Sequence, residues 1–224
     1  MASESRTGSV EARRPGQYGR EVMRRHARRW VAALALFVAL ALLAPGLGAP
    51  VLFVAAFELA LIVLMLVIDG KVTARLDRRL RGSVAEEKVG GILDALAAHG
   101  WLTVHDASTG RGNIDHIAIG PGGVLTIETK SARGRVSPSR IRRRWLAQAY
   151  AERRCLEELA GVRADCLLVF SDAYIVGSPV SRRRGVLILP ARMFAGHLMR
   201  RRPVLTPGQV HESYARIVSA LSAV

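Results

Sequence analysis

The chain has 224 residues, which leaves room for one core domain with appendages, and half of them are hydrophobic. Its formal net charge of +15 argues against an acidic, self-repelling surface and favours an anionic partner, either nucleic acid or acidic lipid. The two cysteines, Cys155 and Cys166, lack the CxxC or Cys/His spacing of a metal site, and their apolar surroundings read as buried core thiols of a reducing compartment.

In chain order, residues 1–29 come first, with eight Arg and three Glu, and read as a basic, disordered segment. Residues 30–68 then carry a single charge, Glu58. Trp30 to Leu43 is almost wholly Ala, Leu and Val, Ala44-Pro45-Gly46 and Pro50 break the run, and Val51 to Ile68 is apolar again. A helix needs about 20 residues to cross the hydrocarbon core. Each segment reaches that length with the turn in the far headgroup region, so the pattern predicts a two-helix transmembrane hairpin. Arg20, Arg24, Arg25, Arg28 and Arg29 precede it, and Lys71, Arg75, Arg78, Arg79 and Arg81 follow it. Positive flanks stay inside, which places both termini in the cytoplasm of a multi-pass cell-membrane protein. A signal peptide fits less well, because a second span follows at once. Glu58 is an intramembrane acid without a basic partner on the first segment.

Residues 69–81 read as a basic linker, and residues 82–224 as the soluble domain. Glu86, Val89, Leu93, Leu96 and Ala97 recur at helical spacing, with Gly100 as the stop. Trp101 to His105 is β-prone. Asn113 to Ile119 and Val124 to Lys130 alternate with period two around Gly120-Pro121-Gly122-Gly123, a β-hairpin signature. Residues 139–160 form an amphipathic helix, with Ile141, Trp145, Leu146, Ala149, Leu156 and Leu159 inward. Cys166 to Phe170 and Val186 to Leu189 are apolar enough for strands buried on both faces. Residues 190–200 and 206–222 are helical, the last capped by Thr206 with Pro207 at its first position. The order is α-β-β-β-α-β-β-α-α, an α/β fold with one mixed sheet flanked by helices.

The unusual polar residues lie on the hairpin. Glu128 and Lys130 share one strand face, with Ile127 and Thr129 on the other. Asp115 comes beside Glu128 across the hairpin, and Glu86 points inward from the preceding helix. Such a group of acids is costly to bury unless something binds it. Mg²⁺ or Mn²⁺ resolves the cost, since Mg²⁺ takes one or two carboxylates with water and substrate phosphate. Asp115 and Glu128 are the expected ligands. Lys130 is expected to position or deprotonate the attacking water, and Glu86 to complete the site. Only Lys71, Lys88 and Lys130 among 33 basic residues are lysine, and Lys can lose a proton where Arg does not. His116, beside Asp115, points to the opposite face and reads as a packed histidine. The run Arg140, Arg142, Arg143 and Arg144 and the run Arg182, Arg183 and Arg184 are solvated by default, yet suit backbone phosphates or anionic lipid.

Gly112-Asn113-Ile114-Asp115-His116-Ile117 with Gly123-Val124-Leu125-Thr126-Ile127-Glu128-Thr129-Lys130, followed by Gly134 and Val136, resembles the nuclease-related domain (NERD) family. Gly82, Ala85-Glu86 and Val89 are similar to its opening helix, Trp145, Leu146 and Gln148 to a later helix, and Leu167 to Phe170 to its next strand; the similarity runs from about Gly82 to Leu221. Ala85 departs from the glycine common before the helix acid. The resemblance implies a restriction-endonuclease-like fold and a D…ExK site of Asp115, Glu128 and Lys130 with Glu86. It also implies Gln148 as a contact to substrate or to a residue of the site; Arg142, Arg143 and Arg144 are expected nucleic-acid contacts from their charge alone. The expectation is thus a membrane-anchored, metal-dependent nuclease of DNA or RNA. A catalytically silent nucleic-acid-binding module and a basic lipid-binding scaffold are the rivals.

Overall fold

The computed structural model describes residues 51–224 and, before them, the helical positions Arg24, Ala27, Arg28, Val31, Ala32, Leu34, Ala35, Val38 and Ala39. Between residues 51 and 76, side chains are described only at 56, 57, 59, 60, 63 and 64. The basic N-terminal segment up to residue 23, the turn at 44–50 and the Glu58 side chain therefore lie outside the described residues. Among the described residues, no helix is long and apolar enough to cross a membrane.

Helix α1, Val51–Ala95, continues through residues 69–81. That stretch is helix rather than a loose linker, because it holds no proline and a lone glycine costs a helix only about 1 kcal/mol. The compact unit that carries the sheet begins at Gly82. There Ala85, Val89 and Leu93 are buried, and the chain tightens into a 3₁₀ turn over Leu96–His99. Gly100, at φ 77°, stops it in the left-handed region that glycine adopts freely.

Three strands follow: β1 Leu102–Ser108, β2 Asn113–Gly120 and β3 Gly123–Val136. Helix α2 is Arg143–Ala160, and β4 Ala164–Ile175, β5 Ser181–Arg183 and β6 Val186–Pro190 complete a six-stranded sheet of order β1-β2-β3-β4-β6-β5. Its first three strands are antiparallel, β3 pairs parallel with β4 and β4 with β6, and β5 is an antiparallel edge. Helices α3 (Ala191–Met199) and α4 (Pro207–Ser222) close the fold, the latter opened by the expected Thr206 cap, here a full capping box with Gln209. The mixed α/β architecture matches the sequence pattern, with β5 as an addition. Arg183, expected in a solvated loop, donates from Nη1 to the carbonyls of Pro138 (2.8 Å) and Ser139 (2.6 Å).

Strand alternation sorts the core onto the two faces of the sheet. Leu125, Ile127, Leu167 and Val169 pack with Val89 and Leu93 of α1 and Phe194 of α3. Leu168, Phe170 and Ile188 face Leu146 and Ala149 of α2, while Ile117, Ile119 and Val124 face Leu156 of α2 and Ile217 of α4. Both cysteines are free thiols. Cys166 is buried, but Cys155 is only half-buried, because its position on α2 borders a groove rather than the core.

Candidate active site

Asp115, Glu128 and Lys130 owe their meeting to the β2–β3 register. The pairs Ile117↔Thr126 and His116↔Ile127, continued by one step, set Asp115 opposite Glu128. Asp115 lies on the face of Ile117 and Ile119, towards α2 and α4, and Glu128 on the face of Val124. The Thr129 backbone N–H donates to Asp115 Oδ2 at 2.7 Å, which fixes that carboxyl against β3. Lys130 Nζ donates to Glu128 Oε1 in a very short contact and to Gln148 Oε1 at 3.2 Å. Directly after Lys130 the pairing with β4 slips: Lys130↔Phe170 is followed by Arg133↔Asp172, one residue more on β3 than on β4. Such a bulge interrupts the ladder, which resumes at Arg133, and turns the side chain beside it, here Lys130.

Helix α2 supplies the facing wall. Gln148 Nε2 donates to Glu152 Oε1 at 3.0 Å, so one amide bridges Lys130 and a further acid. Glu152 is buried and lies on the apolar stripe of Leu146, Ala149, Leu156 and Ala160. Burial, and then its hydrogen bond and charge contact with Glu128, push its carboxyl up to about 10. It is therefore protonated at neutral pH and donates to Glu128. Taken as carboxylates, Glu128 Oε2 and Glu152 Oε2 are both buried without a donor. One proton held between the two groups meets that need.

Glu86 approaches from α1. Burial, then the charges of Asp106 and Glu128, raise its pKa, while Lys130 opposes them. Asp115 is raised well above the ordinary range by burial, then by Glu128 and Glu86, against the Thr129 N–H and Lys130. Five carboxyls thus share one field with a single lysine. Two of them, Asp106 and Glu152, were not expected. Asp106 sits at φ 49° near the end of β1 and accepts from Asn113 Nδ2 at 2.9 Å. The signal for Glu152 was its place in an otherwise apolar stripe, four residues after Gln148.

His116 faces the other side, as expected. Burial and then His105 lower its pKa to about 3, so it is neutral, and its Nδ1 lies 2.8 Å from His105 Nδ1. Arg142, Arg143 and Arg144 are exposed at the start of α2. Arg142 lies over the Trp145 ring at 5.2 Å, and Lys130 is 5.9 Å from the same ring, so this arginine reaches the rim of the acid centre.

The donor set is entirely oxygen, which suits Mg²⁺ or Mn²⁺. Among the described residues, no group of three His, Cys, Asp or Glu side chains stands in metal-holding geometry as it is. Mg²⁺ needs fewer, since one or two carboxylates with water and a phosphate suffice. The orphaned Glu128 and Glu152 oxygens are the kind of buried atoms that such an ion satisfies.

Residues 81–176 match the nuclease-related domain (NERD) family. The matched segment contains every residue of the acid centre, from Glu86 to Glu152, together with Gln148 and the three α2 arginines. The similarity read from the sequence extends to Leu221, and the family match ends at Val176. No curated protein and no solved structure matches the chain. A NERD segment suggests a nuclease-related role and contact with nucleic acid.

Proposed function

We propose that this protein is a membrane-anchored, divalent-metal-dependent nuclease that hydrolyses phosphodiester bonds of DNA or RNA at the cytoplasmic face. The observation that carries the reading is the convergence of Asp115, Glu128 and Lys130 with Glu152 from α2 and Glu86 from α1, inside the NERD segment. Asp115 and Glu128 would hold the ion, which supplies positive charge at the attacked phosphate. Lys130, aimed by the bulge and by Gln148, orients the attacking water; once it has given its own proton to solvent, its neutral amine takes up the water's proton. Glu152 holds a proton against Glu128 and surrenders it when a cation takes that place. Glu86 orders water on the α1 side. The direct test is Mg²⁺- or Mn²⁺-dependent cleavage; DNA and RNA bound without cleavage would favour the silent binding module.

Arg142, Arg143 and Arg144 are placed to contact backbone phosphates, and phosphate contacts release counterions. Binding of duplex DNA should weaken steeply with salt and vary little with sequence, since phosphate contacts carry no sequence information. Replacing all three arginines with Ala should flatten the log–log salt slope by about 2–3, at close to one unit per phosphate contact. An unchanged slope would assign them to lipid or bulk solvent.

Anchoring rests on the apolar runs and on their basic flanks. The described apolar side chains Val31, Phe57, Leu59, Val63 and Leu64 are all exposed, as lipid-facing positions would be. A reporter fused after Val224 that works only outside the cytoplasm should stay silent. A signal from it would overturn the topology.

A further inference from the structure

A second cavity, of about 1340 Å³, opens away from the acid centre, at the end of the sheet where β3 and β4 begin. Val124 pairs with Ala164 there, and Glu128 lies four residues further along β3, about 13 Å away at strand spacing. Six arginines line it, Arg153, Arg163, Arg182, Arg201, Arg202 and Arg216, against only Glu157 and Asp165. Arg153 pairs with Glu157 at 3.7 Å, Arg201 with Asp165, and Arg216 with Glu212 at 2.8 Å. Among the described residues, Arg163, Arg182 and Arg202 have no ion pair, and all three are exposed. Charge of one sign gathered in a concave wall focuses the field on an anion.

The wall is organised rather than a loose charged surface. Arg201 Nε donates to the Gly122 carbonyl at 3.0 Å while its other edge binds Asp165, so the guanidinium is fixed before any ligand arrives. Gly122 permits this approach, since a Cβ there would stand 2.7 Å from Arg201 Cβ. His197 also lines the cavity, and its pKa is lowered by burial first and then by Arg201, Arg200 and Arg182. Val162, Val204 and Leu205 add an accessible apolar flank, with Val124 and Leu187 buried beneath it. A compact ligand with clustered phosphates and a flat apolar group fits a concave basic wall with an apolar flank.

We propose that this cavity binds a nucleoside polyphosphate, its phosphates on Arg163, Arg182, Arg201 and Arg202 and its base on the apolar flank. Four of the six arginines lie beyond residue 176, outside the NERD match, and the inference stands independently of the acid centre.

The test is equilibrium binding of ATP, GTP, inorganic triphosphate and a single-stranded oligonucleotide to the full chain in detergent. It is run on wild type, on the exposed triple variant Arg163→Ala, Arg182→Ala, Arg202→Ala, and on Glu128→Ala. Nucleotide should bind more tightly than inorganic triphosphate. The triple variant should lose about tenfold or more in affinity with its far-ultraviolet spectrum unchanged, and Glu128→Ala should bind the nucleotide as wild type does. Three outcomes overturn the inference: no nucleotide binding, equal binding by the triple variant, or capture of the oligonucleotide alone in a manner that nucleotide does not compete.

Discussion

Asp115→Ala and Glu128→Ala should each abolish cleavage and Mg²⁺ binding together, whereas Lys130→Ala should abolish cleavage and leave Mg²⁺ binding equal or stronger. The two carboxyls are the ion's ligands in this account, and removing either takes away half of the negative charge that holds it. Removing Lys130 deletes a positive charge that contacts Glu128 directly, so the cation loses a competitor. The expected loss of rate is about a thousandfold or more for each, the scale of removing one preorganised charge or proton-transfer group. Lys130→Arg should not restore the rate, because guanidinium keeps its proton and its planar fork reaches differently. Calorimetric Mg²⁺ titration and plasmid cleavage, run on the same preparations, read the two effects apart. Equal activity in all three alanine variants would show that the site lies elsewhere.

The second large effect concerns stability. Glu86, Asp115 and Glu152 all have raised pKa values, Glu152 to about 10. Between the ordinary carboxyl range and these raised values, the folded protein holds more protons than the unfolded chain. Its stability contribution is therefore complete below the ordinary range and is lost as pH rises. Asp172 and Glu158 are lowered, chiefly by Lys88 and Arg111, so their contribution disappears only on the acid side and leaves this window untouched. His116 and His197 are lowered, so they add stability as pH rises through the histidine range and oppose the fall there. Without divalent ions, the melting temperature should therefore fall between about pH 7 and about pH 9. Saturating Mg²⁺ binds the deprotonated acids and should offset most of that fall, so its stabilising effect grows with pH. Glu152→Gln keeps a donor for Glu128 without the proton to lose, and should shallow the decline. A melting temperature that rises over this range would refute the assigned protonation states.

The hairpin was legible because a strand buried on both sides has few polar residues to place, and period-two alternation assigned each to a face. Asp115, Glu128 and Lys130 could be put together from spacing alone. The bulge after Lys130 could not, since Ser131-Ala132-Arg133 carries no glycine or proline to mark it. Glu152 was missed because an acid on an amphipathic helix is normally solvated; its place in the apolar stripe was the local sign, and the contact with Glu128 gives the reason for it. Asp106 was missed for a related reason. Its strand-end position resembles a loop polar until β1 and β2 bring it near Glu86. The arginine cavity draws on β3, α2, β4, β5, β6, α3 and α4, and no local pattern announces a surface assembled from seven elements. Cys155, read as core, borders the groove beside Gln148 and Glu152 instead.

The central claim is that the acid–lysine centre performs metal-dependent phosphodiester hydrolysis. Its most direct measurement is the conversion of supercoiled plasmid to nicked or linear forms by the full chain in detergent. Wild type and Glu128→Ala are compared, each with Mg²⁺ and with a chelator, and linear duplex, single-stranded DNA and RNA run in parallel. Cleavage by wild type only when the ion is present, and none by Glu128→Ala, is the result predicted. Cleavage that survives the chelator or the substitution, or no cleavage of any of the four substrates with Mg²⁺ or Mn²⁺, would contradict the account.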